Sequence, residues 1–192
     1  NSKNQKKNLT IVNNIFESLN GSKIESFIGI GSQAEYGPKN KVIKEESKLE
    51  PITVYGKTKK LVYKILKKIC KTKKIRFVWL RIFSGYGPGS TMEWVIPHTI
   101  KSLISNKKVI FTSGEQIYNF IFISDIVSAI VKSIFNKNAK GAYNLAYKKS
   151  FKIKYIINLI YSYLRVNKNP SFGSIKYRKD QIMRFVPSIS KL

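Results

Sequence analysis

Apolar residues recur at helical spacing over residues 9–19 (LTIVNNIFESL), where Ile11, Ile15, Phe16 and Leu19 are apolar, and Gly21 stops the predicted helix. SFIGIGS, a short apolar run ending in glycine, reads as a buried strand. A loop containing Pro38 and Pro51 leads to a predicted helix over 55–71. IRFVWLRIF, residues 75–83, is the clearest strand, and it runs directly into the loop SGYGPGS. A helix over 94–105 precedes a strand in KKVIFTS. The segment FIFISDIVSAIVKSIF starts extended and turns helical near Asp125, whose carboxylate can cap that helix. GAYNLA predicts a short strand, and FKIKYIINLIYSYL an amphipathic helix. Strands alternating with helices of about 10–15 residues predict a parallel α/β sheet.

Composition narrows the setting. The 192 residues suit one domain, or a large piece of one, with enough apolar content for a core. The longest apolar stretch, NFIFISDIVSAIVKSIF, is interrupted by Asp125 and Lys132 and falls short of the roughly eighteen residues a membrane span needs. No secretory h-region stands near the start of the chain. A single cysteine, Cys70, excludes an internal disulfide framework and fits a reducing compartment, so a cytoplasmic location is expected. No metal is expected. The net charge of +26 raises the question of a nucleic-acid partner. However, the charge is mostly lysine and is spread from Lys3 to Lys191, whereas a nucleic-acid binder would cluster its cations on one face with interleaved aromatics.

Against this background, Tyr55-x-x-x-Lys59 in VYGKTKK invites a chemical reading. On a helix, residues four apart share a face. An ammonium beside a phenol favours the phenolate and so makes a usable acid/base. Lysine fills about a sixth of the positions, so eleven tyrosines produce such pairs by chance, and Tyr63-x-x-x-Lys67 is a second. The spacing alone does not choose between them.

Five stretches in fixed order carry more. GSQAEYG, then YGKTK, LRIFSGYGPG, FIFISD and AYNLA together resemble the extended short-chain dehydrogenase/reductase family, in its NAD-dependent epimerase/dehydratase branch of nucleotide-sugar epimerases, dehydratases and ketoreductases. The similarity runs from about Phe27 to Leu192. It implies the carboxy-terminal part of a Rossmann-type doubly wound parallel sheet plus a smaller α/β substrate-binding region. Residues 1–88 would be the second half of the Rossmann domain, and 89–192 a partial substrate-binding region whose residues 120–146 return to the Rossmann sheet. No G-x-x-G-x-x-G occurs in the sequence. The resemblance therefore implies that the amino-terminal half of that domain lies outside these residues.

The resemblance also implies roles. Ser32 matches the hydroxyl that bonds the sugar's carbinol or carbonyl oxygen, and Tyr55 the acid/base that exchanges a proton with it. Lys59 matches the lysine on the nicotinamide ribose, Ile82 lies in the segment near the nicotinamide, and Ser84 and Arg184 match substrate contacts. Asparagine is common in the family where Ser84 stands, and Tyr118 replaces an arginine that holds the diphosphate in many relatives. Asn144 is expected to be a structural hydrogen-bonder, and His98 a helix-start residue. Dehydratases follow the catalytic hydroxyl with an Asp-Glu pair; here Gln33 and Ala34 stand there, and neither can shuttle a proton. The expected activity is 4-ketoreduction or 4-epimerisation of a nucleoside-diphosphate sugar with NAD or NADP. A homodimer is compatible with it. The alternatives are a non-catalytic fragment lacking a complete cofactor site, and a basic nucleic-acid-binding protein.

Overall fold

The computed structural model describes Thr10, Asn14, Glu17 and residues 23–192. Thr10, Asn14 and Glu17 are helical, while the apolar positions of the helix predicted over 9–19, and Gly21, lie outside the described residues.

Three parallel strands form the centre: β1 (Ser26–Ser32), β2 (Arg76–Ile82) and, after β3 (Gly85–Tyr86), β4 (Ile117–Asn119) and β5 (Ile121–Phe122), the strand β6 (Gly141–Leu145). Their order is β1-β2-β6, with Gly29 opposite Trp79 and Ser32 opposite Ile82. The stretch Phe77–Leu80 of the middle strand is apolar on both faces because both are covered, as parallel sheets require. Phe77 and Trp79 point to helix α1 (Val54–Thr72), whose Val62, Leu66 and Cys70 recur every fourth residue along its buried stripe. Val78 and Leu80 point the other way, to Ile126 of helix α3 (Ile123–Phe135). The glycines of β1 follow from this packing: a Cβ at Gly31 would lie 2.3 Å from the Trp79 indole nitrogen. Burial also pushes the Cys70 thiol up to about 11, as suits a core residue and not a nucleophile.

A second lobe gathers around helices α2 (Val95–Ile104) and α4 (Ile153–Tyr163), which pack on Val109, Phe111 and an antiparallel pair of β4 with β7 (Ser150–Lys152). A short parallel pair, β3 with β5, links the lobes. Two expectations need correction here. KKVIFTS is extended but forms no strand; Phe111 bonds only to the loop residues Ser171 and Ile175, so no ladder develops even though Val109 and Phe111 are buried. Asp125 does not cap α3. The β5 pairing runs to Phe122 and the helix begins at once, so Asp125 falls in the first turn, where its charge meets the positive end of the helix dipole.

Candidate active site

Ser32 ends β1 and caps the 3-10 turn Gln33–Glu35. Its hydroxyl oxygen accepts from the Ala34 N–H at 3.2 Å, and the Glu35 carboxylate accepts from the Ser32 N–H at 2.9 Å, a reciprocal capping box. Because Ser32 Oγ already accepts a backbone bond, its own proton is free to be donated into the neighbouring cleft. Thr53 caps α1 by accepting from the Gly56 N–H at 3.1 Å, which fixes where Tyr55 begins the helix. Gly56 is required for this approach: a Cβ there would lie 2.3 Å from the Ala34 carbonyl oxygen.

The result is a cleft of about 760 Å³ whose lining includes Ser32, Gln33, Tyr55 and Ser84, a size suited to a small-molecule ligand. Ile110, Phe111, Gln116, Tyr118 and Ile157 line it from the second lobe. Tyr55 is 43% exposed. Of the six residues expected at the site, Ser32, Tyr55 and Ser84 line this cleft, while Lys59, Ile82 and Arg184 do not. Lys59 stands one turn beyond Tyr55, its ammonium 5.9 Å from the Tyr55 ring centre, and donates to the Ile30 carbonyl at 2.9 Å. Burial lowers its pKa from the usual lysine value, and the Glu35 carboxylate opposes that shift. Ile82 is the sheet partner of Ser32. Arg184 forms a bridge with Ile117 and precedes Phe185, which does line the cleft. Tyr118 donates to the Ile182 carbonyl and accepts from Gln181, both at 2.7 Å, so it ties β4 to the chain's last segment. Asn144 accepts from Tyr36 at 2.6 Å and donates to the carbonyls of Ile43 and Ser188, a structural role.

A buried ion pair behind Ser32 was not foreseen from the sequence. Arg81 Nε donates to Glu35 at 2.8 Å, with both side chains at most 1% exposed, and the Trp79 indole donates to the same carboxylate at 2.9 Å. The Arg81 guanidinium lies 4.8 Å from the ring centres of both Tyr36 and Tyr63. Burial lowers the Arg81 pKa, but the Tyr36 hydroxyl and the Glu35 carboxylate more than offset it and leave it raised. Burial pushes the Tyr36 phenol up to about 12, with Arg81 opposing. Two signals pointed here: an arginine inside the apolar run of β2, and a Ser-x-x-Glu box in GSQAEYG.

The buried polar atoms left without a hydrogen-bond partner among the described residues are Gln33 Oε1, Gln116 Oε1 and Arg184 Nε. Two belong to the cleft wall and the third to a residue adjoining it. Buried polar groups are nearly always paired, so Gln33 and Gln116 leave hydrogen-bonding capacity on the cleft wall unmet by the described residues.

A parallel sheet with its cleft at the carboxyl end of the strands is the architecture of a Rossmann-type nucleotide-dependent enzyme. The chain belongs to the NAD dependent epimerase/dehydratase family, whose sequence model matches residues 1–146. It is 28% identical over 159 residues to the UDP-glucose 4-epimerase of Lactobacillus helveticus, covering 72% of this chain and 48% of that protein. Among solved structures it superposes on the UDP-N-acetylglucosamine 4-epimerase from Methanobrevibacter ruminantium in complex with UDP-N-acetylmuramic acid, with a TM-score of 0.86 and 25% identity over 94% of this chain and 59% of that one. The UDP-glucuronic acid 4-epimerase from Bacillus cereus in complex with UDP-glucuronic acid and NAD matches with a TM-score of 0.86 and 26% identity, over 96% and 59%. The chain thus spans about half the length of the relatives it matches.

Proposed function

We propose that this chain carries the reacting end of a nucleoside-diphosphate-sugar 4-epimerase or 4-ketoreductase, with Ser32, Tyr55 and Lys59 as its acid/base group. The observation that carries the reading is that Ser32 and Tyr55 line the same cleft, with the helix of Tyr55 held against the turn after Ser32 by the close approach of Gly56 to Ala34. In this reading Ser32 donates to the sugar's C4 oxygen and Tyr55 takes or returns the proton on it. A nicotinamide, when bound, accepts and returns the hydride of C4. Lys59 would hold its ribose: one of the ammonium's three N–H groups is anchored on Ile30, and the others are on hand for ribose hydroxyls. Ile82, beside Ser32 in the sheet, would border the nicotinamide. Ser84 and Arg184 would contact the substrate.

The sequence holds no glycine-rich pyrophosphate turn, so these residues contribute to the nicotinamide end of a cofactor site only. Residues 1–88 would form the Rossmann part and 89–192 the substrate-binding part, with the 120–146 segment returning to the main sheet through β6. Gln33 and Ala34 favour epimerisation or keto reduction over dehydration, since an amide and a methyl group move no proton. Among the described residues no helix is long and apolar enough to cross a membrane.

The test is to incubate the protein carrying this chain with NAD and, separately, UDP-glucose and UDP-N-acetylglucosamine, and to follow the C4 configuration by NMR. Appearance of the C4 epimer is expected. If every nucleotide sugar is returned unchanged, and no 4-keto sugar is reduced with NADH or NADPH, the reading is wrong.

A further inference from the structure

Four non-glycine residues among those described have left-handed backbone: Lys74 (φ 56), Ser84 (φ 36), Asn106 (φ 53) and Arg165 (φ 52). Three of them follow helix C-caps, and their conformation is explained by the bonds that close those helices. Ile75 N–H reaches back to the Cys70 carbonyl, Lys107 to Ser102 and Val166 to Tyr161, the pattern in which a left-handed residue satisfies the last carbonyls. Ser84 ends no helix. It follows β2 and directs its hydroxyl to Gln33, whose Nε2 donates to Ser84 Oγ at 3.3 Å. A side-chain-bearing residue held there without a helix to close points to function.

Gln33 supplies the second observation. Its Oε1 is buried without a partner, and the residue lines the cleft immediately after Ser32. Turning the amide over exchanges the two ends but changes nothing in the count, since one end meets Ser84 and the other meets no group of the protein. We propose that Gln33, braced by Ser84, reads the sugar hydroxyl next to the reacting carbon, the 3-hydroxyl when C4 reacts. This rests on the reading given under Proposed function. The chemistry favours a hydroxyl: it both donates and accepts, so it satisfies whichever end of the amide is free, whereas a phosphate oxygen only accepts and satisfies the nitrogen alone. Position selects the neighbouring carbon, because Gln33 follows Ser32 in the chain and Ser84 follows the strand whose Ile82 pairs with Ser32.

Titration calorimetry of the protein carrying this chain, with UDP, UDP-glucose and UDP-3-deoxyglucose, tests the assignment without requiring turnover. The unsubstituted protein is expected to bind UDP-3-deoxyglucose about ten-fold more weakly than UDP-glucose, the weight of one hydrogen bond. Gln33→Leu should erase the difference by weakening UDP-glucose alone. Ser84→Gly should raise the melting temperature, because glycine accepts the left-handed backbone freely, and should still narrow the discrimination. A purely structural serine would leave discrimination untouched. Equal binding of the two sugars by the unsubstituted protein overturns the role of Gln33 while leaving the site reading intact. A difference that persists in Gln33→Leu does the same. If none of the three ligands gives heat of binding, the site reading falls and this inference with it.

Discussion

Helix α1 carries two Tyr-x-x-x-Lys pairs two turns apart, and locally they are almost the same object. The Lys59 ammonium lies 5.9 Å from the Tyr55 ring centre and Lys67 lies 5.7 Å from that of Tyr63. What separates them is what the rest of the chain sets against each ring. Tyr63 is wedged between Phe77 and Trp79, with ring centres at 5.9 and 5.5 Å, and under the Arg81 guanidinium. It does not line the cleft, whereas Tyr55 stands on the cleft wall with Ser32. Lys59 is half-buried and anchored on a strand carbonyl, while Lys67 is exposed. The same spacing therefore yields one candidate acid/base and one packing residue, and the difference is entirely tertiary.

The largest expected effect breaks the surroundings of the Tyr63 pair. Glu35→Ala leaves Arg81 charged and unpaired in the core and is expected to destabilise the fold by about 3–5 kcal/mol, read by denaturant unfolding. A loss below about 1 kcal/mol would show that the pair does not organise this side of the helix. Tyr63→Ala comes next, at about 2 kcal/mol for a half-buried ring packed on two aromatics, whereas Tyr55→Ala should stay within about 0.5 kcal/mol. Equal losses would mean that the two tyrosines are equivalent in packing.

Lys59→Met sharpens the comparison on the chemical side. Loss of the cationic neighbour should raise the pH at which activity appears by about one unit or more, while Lys67→Met leaves the profile in place. A smaller signature is thermodynamic. Burial holds the Lys59 pKa below 10.5, so the folded state binds this proton less tightly than the unfolded state does. Stability relative to Lys59→Met should therefore rise as pH climbs from that lowered value towards 10.5, and level off above it. A falling difference over that window would contradict the burial of the ammonium.

How much of this was legible in advance depends on the range of the interaction. Strands β1 and β2 and helix α1 stand out because apolar runs, a loop punctuated by Pro38 and Pro51 and helical spacing are local signals, and their ends fall within a residue or so of expectation. The Glu35–Arg81 pair joins residues far apart in the chain, and only an anomalous arginine in an apolar strand and a Ser-x-x-Glu box announced it. The pairings of β3 with β5 and β4 with β7 involve two or three residues each, too few for a period to register. KKVIFTS has the alternation of a strand but faces a loop, which no local pattern records. Choosing Tyr55 over Tyr63 needed the family resemblance first and the cleft afterwards. Spacing could not do it.

The central claim is that the chemistry belongs to Tyr55 and not to its twin. The direct measurement is the rate of C4 interconversion of a nucleotide sugar by the protein carrying this chain, compared for Tyr55→Phe and Tyr63→Phe under conditions where both are folded and bind the sugar. Removal of the Tyr55 hydroxyl should lower the rate by about 1,000-fold or more with sugar affinity nearly intact, while Tyr63→Phe stays within a few-fold of the unsubstituted protein. A Tyr55→Phe protein that turns over at near the original rate, or a full loss confined to Tyr63→Phe, would contradict the account.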